Sequence, residues 1–394
     1  MRKNAVKKEL TEIDGGVCAP SGFRANGVNC GIISDDKEDL SLVAAEQRCA
    51  CACVYAESDC LGAPSKLVKK RLAGYARAVI VNSGIANVYM QGGEKVARDI
   101  CRALSNKLLV REEEIAIAST GKIGNLPISP VLSKMDELVK GLGSDSAHSQ
   151  KAAIGIASVG EQPKTFAYSF ELGDYTCKIG GIVKGNMHVC PNMATTVCIL
   201  TTDVAIEPDC LQKAFTSAVN NSLNLLNVDG VSSPNDFACI LSSGKAGNYK
   251  IFTCDSEYKK FADALCAVMG NVCRLIAKNA SDTFATCRVA GARSAKTARA
   301  VAKAVAGAPA VRKAIALKKV VVEDVLWAIY TANEPFSFEK LHITINGLCL
   351  LQDGRRQDFV ANTMENALQT QEILLAINLG DGNYSATSVF CISQ

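Results

Sequence analysis

The chain has 394 residues, 48% of them hydrophobic and 21% charged, which is typical of a globular protein with a substantial core. The formal net charge is only +4, and basic and acidic residues are interspersed, so we expect no nucleic-acid partner. No apolar run is long enough to cross a bilayer, and no apolar segment follows the basic N-terminus, so we expect no membrane partner and a cytoplasmic location, with the mitochondrial matrix as the alternative.

Hydrophobic periodicity predicts both strands and helices along the chain. Strands are predicted over 77–84, 114–120 and 195–206, and helices over 94–109, 209–223, 256–279 and 294–309. Asp209 is predicted to be an N-cap, and Gly307 with Pro309 to end the last helix. Strands and helices occur in groups as well as alternately, which favours an α+β fold in the form of a layered α/β sandwich.

In two of the predicted helices, the spacing of apolar or charged residues predicts which face is buried and which is exposed to solvent. The first has an apolar stripe made of Ala97, Ile100, Cys101, Leu104 and Leu108. The last carries Lys296, Arg299 and Lys303, which we interpret as a solvated face.

The 18 cysteines are best interpreted as reduced thiols, many of them acting as small buried hydrophobic residues. Alternation places Cys49, Cys51 and Cys53 on one face of a strand, where they are either core residues or a thiolate metal site. Zinc sites usually separate paired cysteines by two or more residues, and no second pair follows. The only three histidines are His148, His188 and His342, which is too few for a histidine-rich centre. We therefore predict no metal.

The stretch "PNMATT", 191–196, suggests a different chemistry at Thr195. A nucleophilic threonine needs a base, and its own α-amino group supplies one once the preceding peptide bond is broken. A small residue before the threonine allows that bond to distort, and Ala194 meets this condition. The reaction also needs oxyanion donors, for which "STGKIG", 119–124, is the candidate. Taken alone, the pattern is more typical of the start of an ordinary strand.

A series of motifs spans nearly the whole chain, in this order: "GGVCAPSGFRANGVNCGI" (15–32), "VNSGIAN" (81–87), "ASTGKIG" (118–124), "KGNMHVCPNMATT" (184–196), "TTDV" (201–204), "VDGVSSPND" (228–236) and "LGDGNYSAT" (379–387). In this ordered set the chain resembles the ornithine acetyltransferase family, also called glutamate N-acetyltransferase.

The resemblance implies a role for each matching residue. Thr195 matches the nucleophile, and Ala194–Thr195 the self-cleavage site, which divides the chain into an α chain (1–194) and a β chain (195–394). Thr120 and Gly121 match the oxyanion hole, and Lys184 a substrate-binding lysine. The implied reaction moves acetyl from N2-acetylornithine to glutamate through acetyl-Thr195, with no cofactor. The family also implies amino-acid substrates and α/β heterodimers that form dimers or larger assemblies.

The chain departs from the family pattern at several substrate positions. Glu161 occupies the place of a substrate-contacting threonine, where an inward-pointing charge would repel an acidic substrate. "SDTFAT", 281–286, places Asp282 or Thr283 near a family glutamate, and "VVVEDVLWAIYT", 320–331, replaces an Asn-Trp-Gly-Arg motif. The family's last strand would lie beyond "VFCISQ", 389–394.

These departures keep other interpretations open. The protein could be a degenerate or altered-specificity homologue that acts as a scaffold or binding protein, because a fold does not guarantee a function. Metal sequestration by thiolates is a third interpretation. His188 could be a new base or simply a packed or solvated histidine.

Overall fold

The computed structural model describes residues 10–33, 36–56, 59–185, 196–359 and 362–392. Two compact units contain them: the first has residues 10–185, 196–218 and 233–268, and the second has residues 219–232 and 269–392. The described strands are β1 (Thr11–Glu12), β2 (Phe23–Val28), β3 (Leu40–Tyr55), β4 (Tyr75–Asn82), β5 (Ile115–Ser119), β6 (Lys164–Leu172), β7 (Tyr175–Lys184), β8 (Val197–Thr202), β9 (Leu226–Asn227), β10 (Phe237–Ser242), β11 (Phe284–Ala292), β12 (His342–Ile345), β13 (Leu348–Gln352), β14 (Arg355–Arg356), β15 (Glu372–Asn378) and β16 (Tyr384–Cys391). The described helices are α1 (Ala63–Arg71), α2 (Gly93–Leu108), α3 (Ile128–Ser133), α4 (Met135–Lys140), α5 (Ser146–Ile156), α6 (Pro208–Asn220), α7 (Ser256–Ala280), α8 (Ala295–Gly307), α9 (Pro309–Ala316), α10 (Val322–Thr331) and α11 (Thr363–Ala367).

The first unit is built on one nine-stranded sheet with the order β1-β6-β7-β8-β10-β3-β4-β5, and β2 also pairs with β3. The long strand β3 joins two groups of strands. Residues 40–45 pair with β2, residues 50–55 pair with β10, and the register of β3 against β4 shifts between Ala44 and Cys49. Such an irregularity bends a strand. Apolar side chains of both groups, such as Ile80, Ile117, Ile182 and Phe237, share one buried core.

Strand β8 lies in the interior of this sheet. It pairs antiparallel with β7, where Val197 lies opposite Lys184, and parallel with β10, where Val197 lies opposite Phe237. Because β10 pairs with β3 on its other side, β8 and β10 lie between two strands of the N-terminal half. The first unit therefore takes sheet strands from both sides of the Ala194–Thr195 bond.

The second unit contains a seven-stranded sheet with the order β14-β13-β12-β15-β11-β16-β9. Strand β11 is parallel to β15 and antiparallel to β16. Apolar residues of α8, such as Val301 and Val305, share a core with sheet residues such as Phe390. With two mixed sheets and helices packed on them, the predicted α+β class is confirmed.

The predicted elements are present with small shifts at their ends. The strands predicted over 77–84, 114–120 and 195–206 are β4, β5 and β8, and the four predicted helices are α2, α6, α7 and α8. The apolar stripe of α2 is buried except at Leu108, which is half-buried. No helix in the described part of the chain is both long and apolar enough to span a bilayer.

Three details of the helices differ from the predictions. Helix α6 begins at Pro208, whose fixed φ suits a first helical position, so Asp209 lies inside the first turn and the N-cap prediction is wrong. Helix α8 does end at Gly307, but Pro309 then starts α9. The Lys296 side chain is 83% exposed, as predicted, whereas Arg299 and Lys303 are half-buried.

Candidate active site

The cysteine-rich strand belongs to the core. Cys49 and Cys51 are buried on β3, and the Sγ atoms of Cys51 and Cys53 are 3.9 Å apart. Burial raises the pKa of Cys49 to about 12, so its thiol stays protonated at neutral pH. Among the described residues, no three His, Cys, Asp or Glu side chains are grouped so that they could hold a metal ion.

Thr120 and Gly121 directly follow β5, and Thr120 is buried. The Thr120 N–H donates to the Asn82 carbonyl at 3.0 Å. The hydroxyl of Thr120 is therefore its remaining hydrogen-bond donor. Gly121 has φ +129, and a Cβ there would lie 2.2 Å from the Gly84 carbonyl. Only glycine fits this position without displacing the loop. The Gly121 N–H has no acceptor among the described residues.

Lys184 ends β7 and is buried beside Thr120. Its Nζ donates a hydrogen bond to Thr120 Oγ1. Burial lowers the pKa of Lys184 to about 8; Glu161 and Asp236 oppose this shift, and Lys37 and Lys164 add to it. Because the Thr120 oxygen is the acceptor in this bond, its hydrogen can point elsewhere. The ammonium also polarises the hydroxyl, which makes it a stronger donor.

Glu161 is not a free charge in this structure. Its side chain and that of Lys164 are each 1% exposed, and Lys164 Nζ lies 2.5 Å from Glu161 Oε1. The same oxygen accepts the Gly185 N–H at 2.9 Å, and Oε2 accepts the Ser158 N–H at 2.9 Å. Burial acts to raise the pKa of Glu161, but Lys164 and these N–H groups lower it overall. The expectation that Glu161 presents a repelling charge to substrate therefore loses its basis.

Two further residues, Asn235 and Asp236, complete what we call the active-site cluster, together with Thr120, Gly121 and Lys184. Asn235 Nδ2 donates to the Ser119 carbonyl at 2.9 Å and to the Ala86 carbonyl at 2.5 Å. Asp236 is fully buried, and its Oδ1 accepts the Thr196 N–H at 2.8 Å. Burial raises its pKa well above the usual range, against the lowering effects of the Thr196 and Ser233 N–H groups and Lys184.

Sequence reasoning gave no role to Asn235 and Asp236. A usable signal was present, because "SSPND" directly precedes the apolar run "FACILS" of β10. An amide and a carboxylate at the entrance of a buried strand require hydrogen-bond partners.

Three predicted residues, Ala194, Thr195 and His188, lie outside the described residues. The first described residue after the cleavage-site motif is Thr196, whose carbonyl accepts the Phe237 N–H at 3.0 Å. The structure thus fixes the backbone one residue after the predicted nucleophile.

Asp282 and Thr283 lie in the second unit, where they line a cavity of about 610 Å³ with Lys278, Lys318 and Leu368 among others. Neither is a glutamate, and the nearby Ser281 hydroxyl is bonded to the Thr283 carbonyl at 2.7 Å.

Comparison with known proteins decides the family. A model of the ArgJ family matches residues 24–392. The chain belongs to the ArgJ family. The resemblance seen in the sequence motifs is thereby confirmed over almost the whole chain.

Members of the ArgJ family from several organisms are similar to this chain. The arginine biosynthesis bifunctional protein ArgJ of Symbiobacterium thermophilum is 32% identical over 384 residues, covering 96% of this chain and 95% of that protein. The protein of the same name from Bacillus subtilis is 30% identical over 382 residues, covering 95% and 93%. A solved structure of ornithine acetyltransferase from Mycobacterium tuberculosis, in complex with ornithine, is 28% identical with a TM-score of 0.43, covering 46% of this chain and 98% of that one.

Proposed function

We propose that this protein transfers acetyl from N2-acetylornithine to glutamate through an ester on Thr195, after cleaving itself between Ala194 and Thr195. The observation that carries the proposal is the pairing of the buried side chains of Lys184 and Thr120, directly followed in the chain by the exposed Gly121. It combines a polarised hydroxyl donor, a backbone N–H with no acceptor among the described residues, and a cation. ArgJ family membership supports the reaction class.

Self-cleavage would come first. The Thr195 hydroxyl attacks the Ala194 carbonyl carbon, and the C–N bond breaks with its nitrogen taking the proton. Water then hydrolyses the resulting ester, which leaves a carboxylate on Ala194 and an α-amino group on Thr195. Each tetrahedral intermediate carries a negative oxygen, which the Thr120 hydroxyl and the Gly121 N–H would stabilise.

Acetyl transfer would use the new amine as its base. The amine takes the proton of the Thr195 hydroxyl as Oγ attacks the acetyl carbonyl, and it returns the proton to the departing ornithine nitrogen. The glutamate amine then attacks the acetyl ester and releases Thr195.

The charges of the cluster suit an acidic acceptor. Lys184 is the cation that we assign to a substrate carboxylate. Glu161 is neutralised by Lys164, so it does not oppose the second carboxylate of glutamate. For this reason we propose glutamate rather than a basic or neutral acceptor.

We also propose that the two chains remain together as an α/β heterodimer, which forms dimers or larger assemblies in the cytoplasm. The position of β8 and β10 between β7 and β3 supports the first part. Free buried thiols such as Cys49, Cys177 and Cys273 suit a reducing compartment.

An intact mass of the purified protein tests the proposal. We expect two fragments, of which the C-terminal one begins Thr-Thr-Val-Cys, and a single uncut chain in Thr195→Ala. Incubation with N2-acetylornithine should add one acetyl group to the C-terminal fragment, and glutamate should remove it as N-acetylglutamate. Cleaved protein that forms no acetyl-enzyme would support the degenerate homologue instead.

A further inference from the structure

Glu161 is connected to Lys184 through the backbone that follows the lysine. Its Oε1 accepts the N–H of Gly185 at 2.9 Å, and that nitrogen is joined to the Cα of Lys184 through a single carbonyl carbon. The short bonds of this link fix the carboxylate close to the strand end that carries Lys184. Because the Glu161 side chain is only 1% exposed, it can affect a substrate only through another residue.

Glu161 is also held in its ionised form. Lys164 Nζ lies 2.5 Å from Glu161 Oε1, and the Ser158 N–H donates to Oε2 at 2.9 Å. Burial acts to raise the pKa of Glu161, but Lys164 and the backbone N–H donors lower it overall. Asp236 differs in this respect, because burial raises its pKa well above the usual range. Of these two carboxylates, Glu161 is therefore the one whose charge the structure stabilises.

The surroundings of Lys184 otherwise oppose its positive charge. The charged groups that act on it are two carboxylates and two cations: Glu161, Asp236, Lys37 and Lys164. Burial and the two cations favour the loss of the Lys184 proton, and the residue is only 4% exposed. Glu161 has the largest effect among the four charged groups, and it opposes this loss.

We propose that Glu161 is a positioning residue for Lys184: it holds the backbone that follows the lysine, and its charge, fixed by Lys164, keeps Lys184 cationic for a substrate carboxylate. This inference rests on the proposed function, which assigns that carboxylate to Lys184. The position that the family resemblance assigns to a substrate-contacting threonine thus has a different role in this chain.

Two variants should move the titration of Lys184 in opposite directions. Glu161→Gln removes the favourable charge and keeps an oxygen for the Gly185 N–H, so Lys184 should lose its proton at lower pH. Lys37→Met is the matched control, because it removes a half-buried cation that acts on Lys184 with the opposite sign. Loosening of the fold would hydrate Lys184 and raise its titration midpoint in both variants, so a merely structural effect cannot imitate the fall.

Side-chain NMR of isotope-labelled lysines measures this titration in an uncut Thr195→Ala background, where Lys184 is assigned by its absence in Lys184→Met. We expect a midpoint of about 8 in this background. It should be lower by roughly 0.5 pH or more in Glu161→Gln and higher in Lys37→Met. If Glu161→Gln does not fold, Glu161→Gln with Lys164→Met takes its place, because it leaves no buried charge unpaired. Its midpoint should fall by a smaller amount, since Lys164 opposes the Lys184 charge.

The same change should appear in the cleaved enzyme. KM for glutamate should begin to rise at lower pH in Glu161→Gln than in the wild type, and kcat at saturating glutamate should change less than KM. An unchanged or raised Lys184 midpoint in the Glu161 variant would overturn the inference. Because the NMR titration requires no reaction, wild-type protein that forms no acetyl-enzyme would overturn the proposed function separately.

Discussion

Lys184 donates its hydrogen bond to the Thr120 hydroxyl oxygen, while the Thr120 backbone N–H is already bonded to Asn82. Because the Thr120 oxygen accepts from Lys184, the hydroxyl hydrogen points away from the lysine. The residue types alone do not determine this direction. The pairing makes the threonine side chain, rather than its backbone, the donor toward a developing oxyanion.

Thr120→Val should therefore slow acetylation of Thr195, because it removes the hydroxyl and keeps the shape. The loss of one oxyanion donor costs about 2.7–4 kcal/mol, or roughly 100- to 1,000-fold in rate. Thr120→Ser, which keeps the hydroxyl, should stay within about tenfold of wild type. Single-turnover formation of acetyl-enzyme measures both, and an unimpaired valine variant would assign the donor elsewhere.

The lowered pKa of Lys184 should appear in substrate binding. Lys184 is cationic below a pKa of about 8 and becomes neutral above it, so KM for glutamate should rise as pH increases through 8. The lowered pKa of Lys184 also affects the free energy of unfolding. Between pH 8 and 10.5 the unfolded chain holds a proton that the folded chain has lost. The contribution of Lys184 to stability therefore increases with pH in this range. Lys184→Met should have a high KM that does not change across this range. A wild-type KM that is constant from pH 7 to 9 would contradict the assignment.

Gly121→Ala should abolish self-cleavage or slow it strongly. The new Cβ would lie 2.2 Å from the Gly84 backbone, at a φ that L-residues rarely adopt, so the N–H of residue 121 must move. Gly124→Ala is the control in the same loop, because its Cβ would meet only the Ile85 side chain at 3.9 Å. The fraction of uncut chain on a denaturing gel measures the effect, and equal cleavage of the two variants would argue against the Gly121 donor.

Glu161→Gln should destabilise the protein by about 3–5 kcal/mol, because it leaves the Lys164 charge buried without its partner. The half-exposed pair of Glu207 and Lys250, 2.7 Å apart, provides the control, and Glu207→Gln should cost roughly 0–1 kcal/mol. Urea unfolding in a Thr195→Ala background compares the two in an uncut chain. Similar losses would mean that the Glu161 pair contributes no more than a surface pair.

The sequence predicted the principal elements, and it named several residues of the candidate site, because those features are local. The apolar stripe of α2 and the position of Gly121 after a strand can be read from neighbouring residues. The neutralisation of Glu161 by Lys164 was missed, although the two are three residues apart, because it depends on burial. Asn235 and Asp236 were missed because their partners, Ser119 and Thr196, are distant along the chain and become neighbours only in the folded sheet.

The position of β8 and β10 between β7 and β3 also determines how the unfolding of this protein depends on its concentration. An uncut chain re-forms this sheet within one molecule, so this step adds no concentration dependence to its midpoint of thermal unfolding. Once the chain is cut, the same sheet can re-form only when two separate molecules meet, and its midpoint should rise with protein concentration. Self-cleavage would thus change the re-formation of this sheet from a unimolecular to a bimolecular step, and dilution would disfavour that step in the mature form alone.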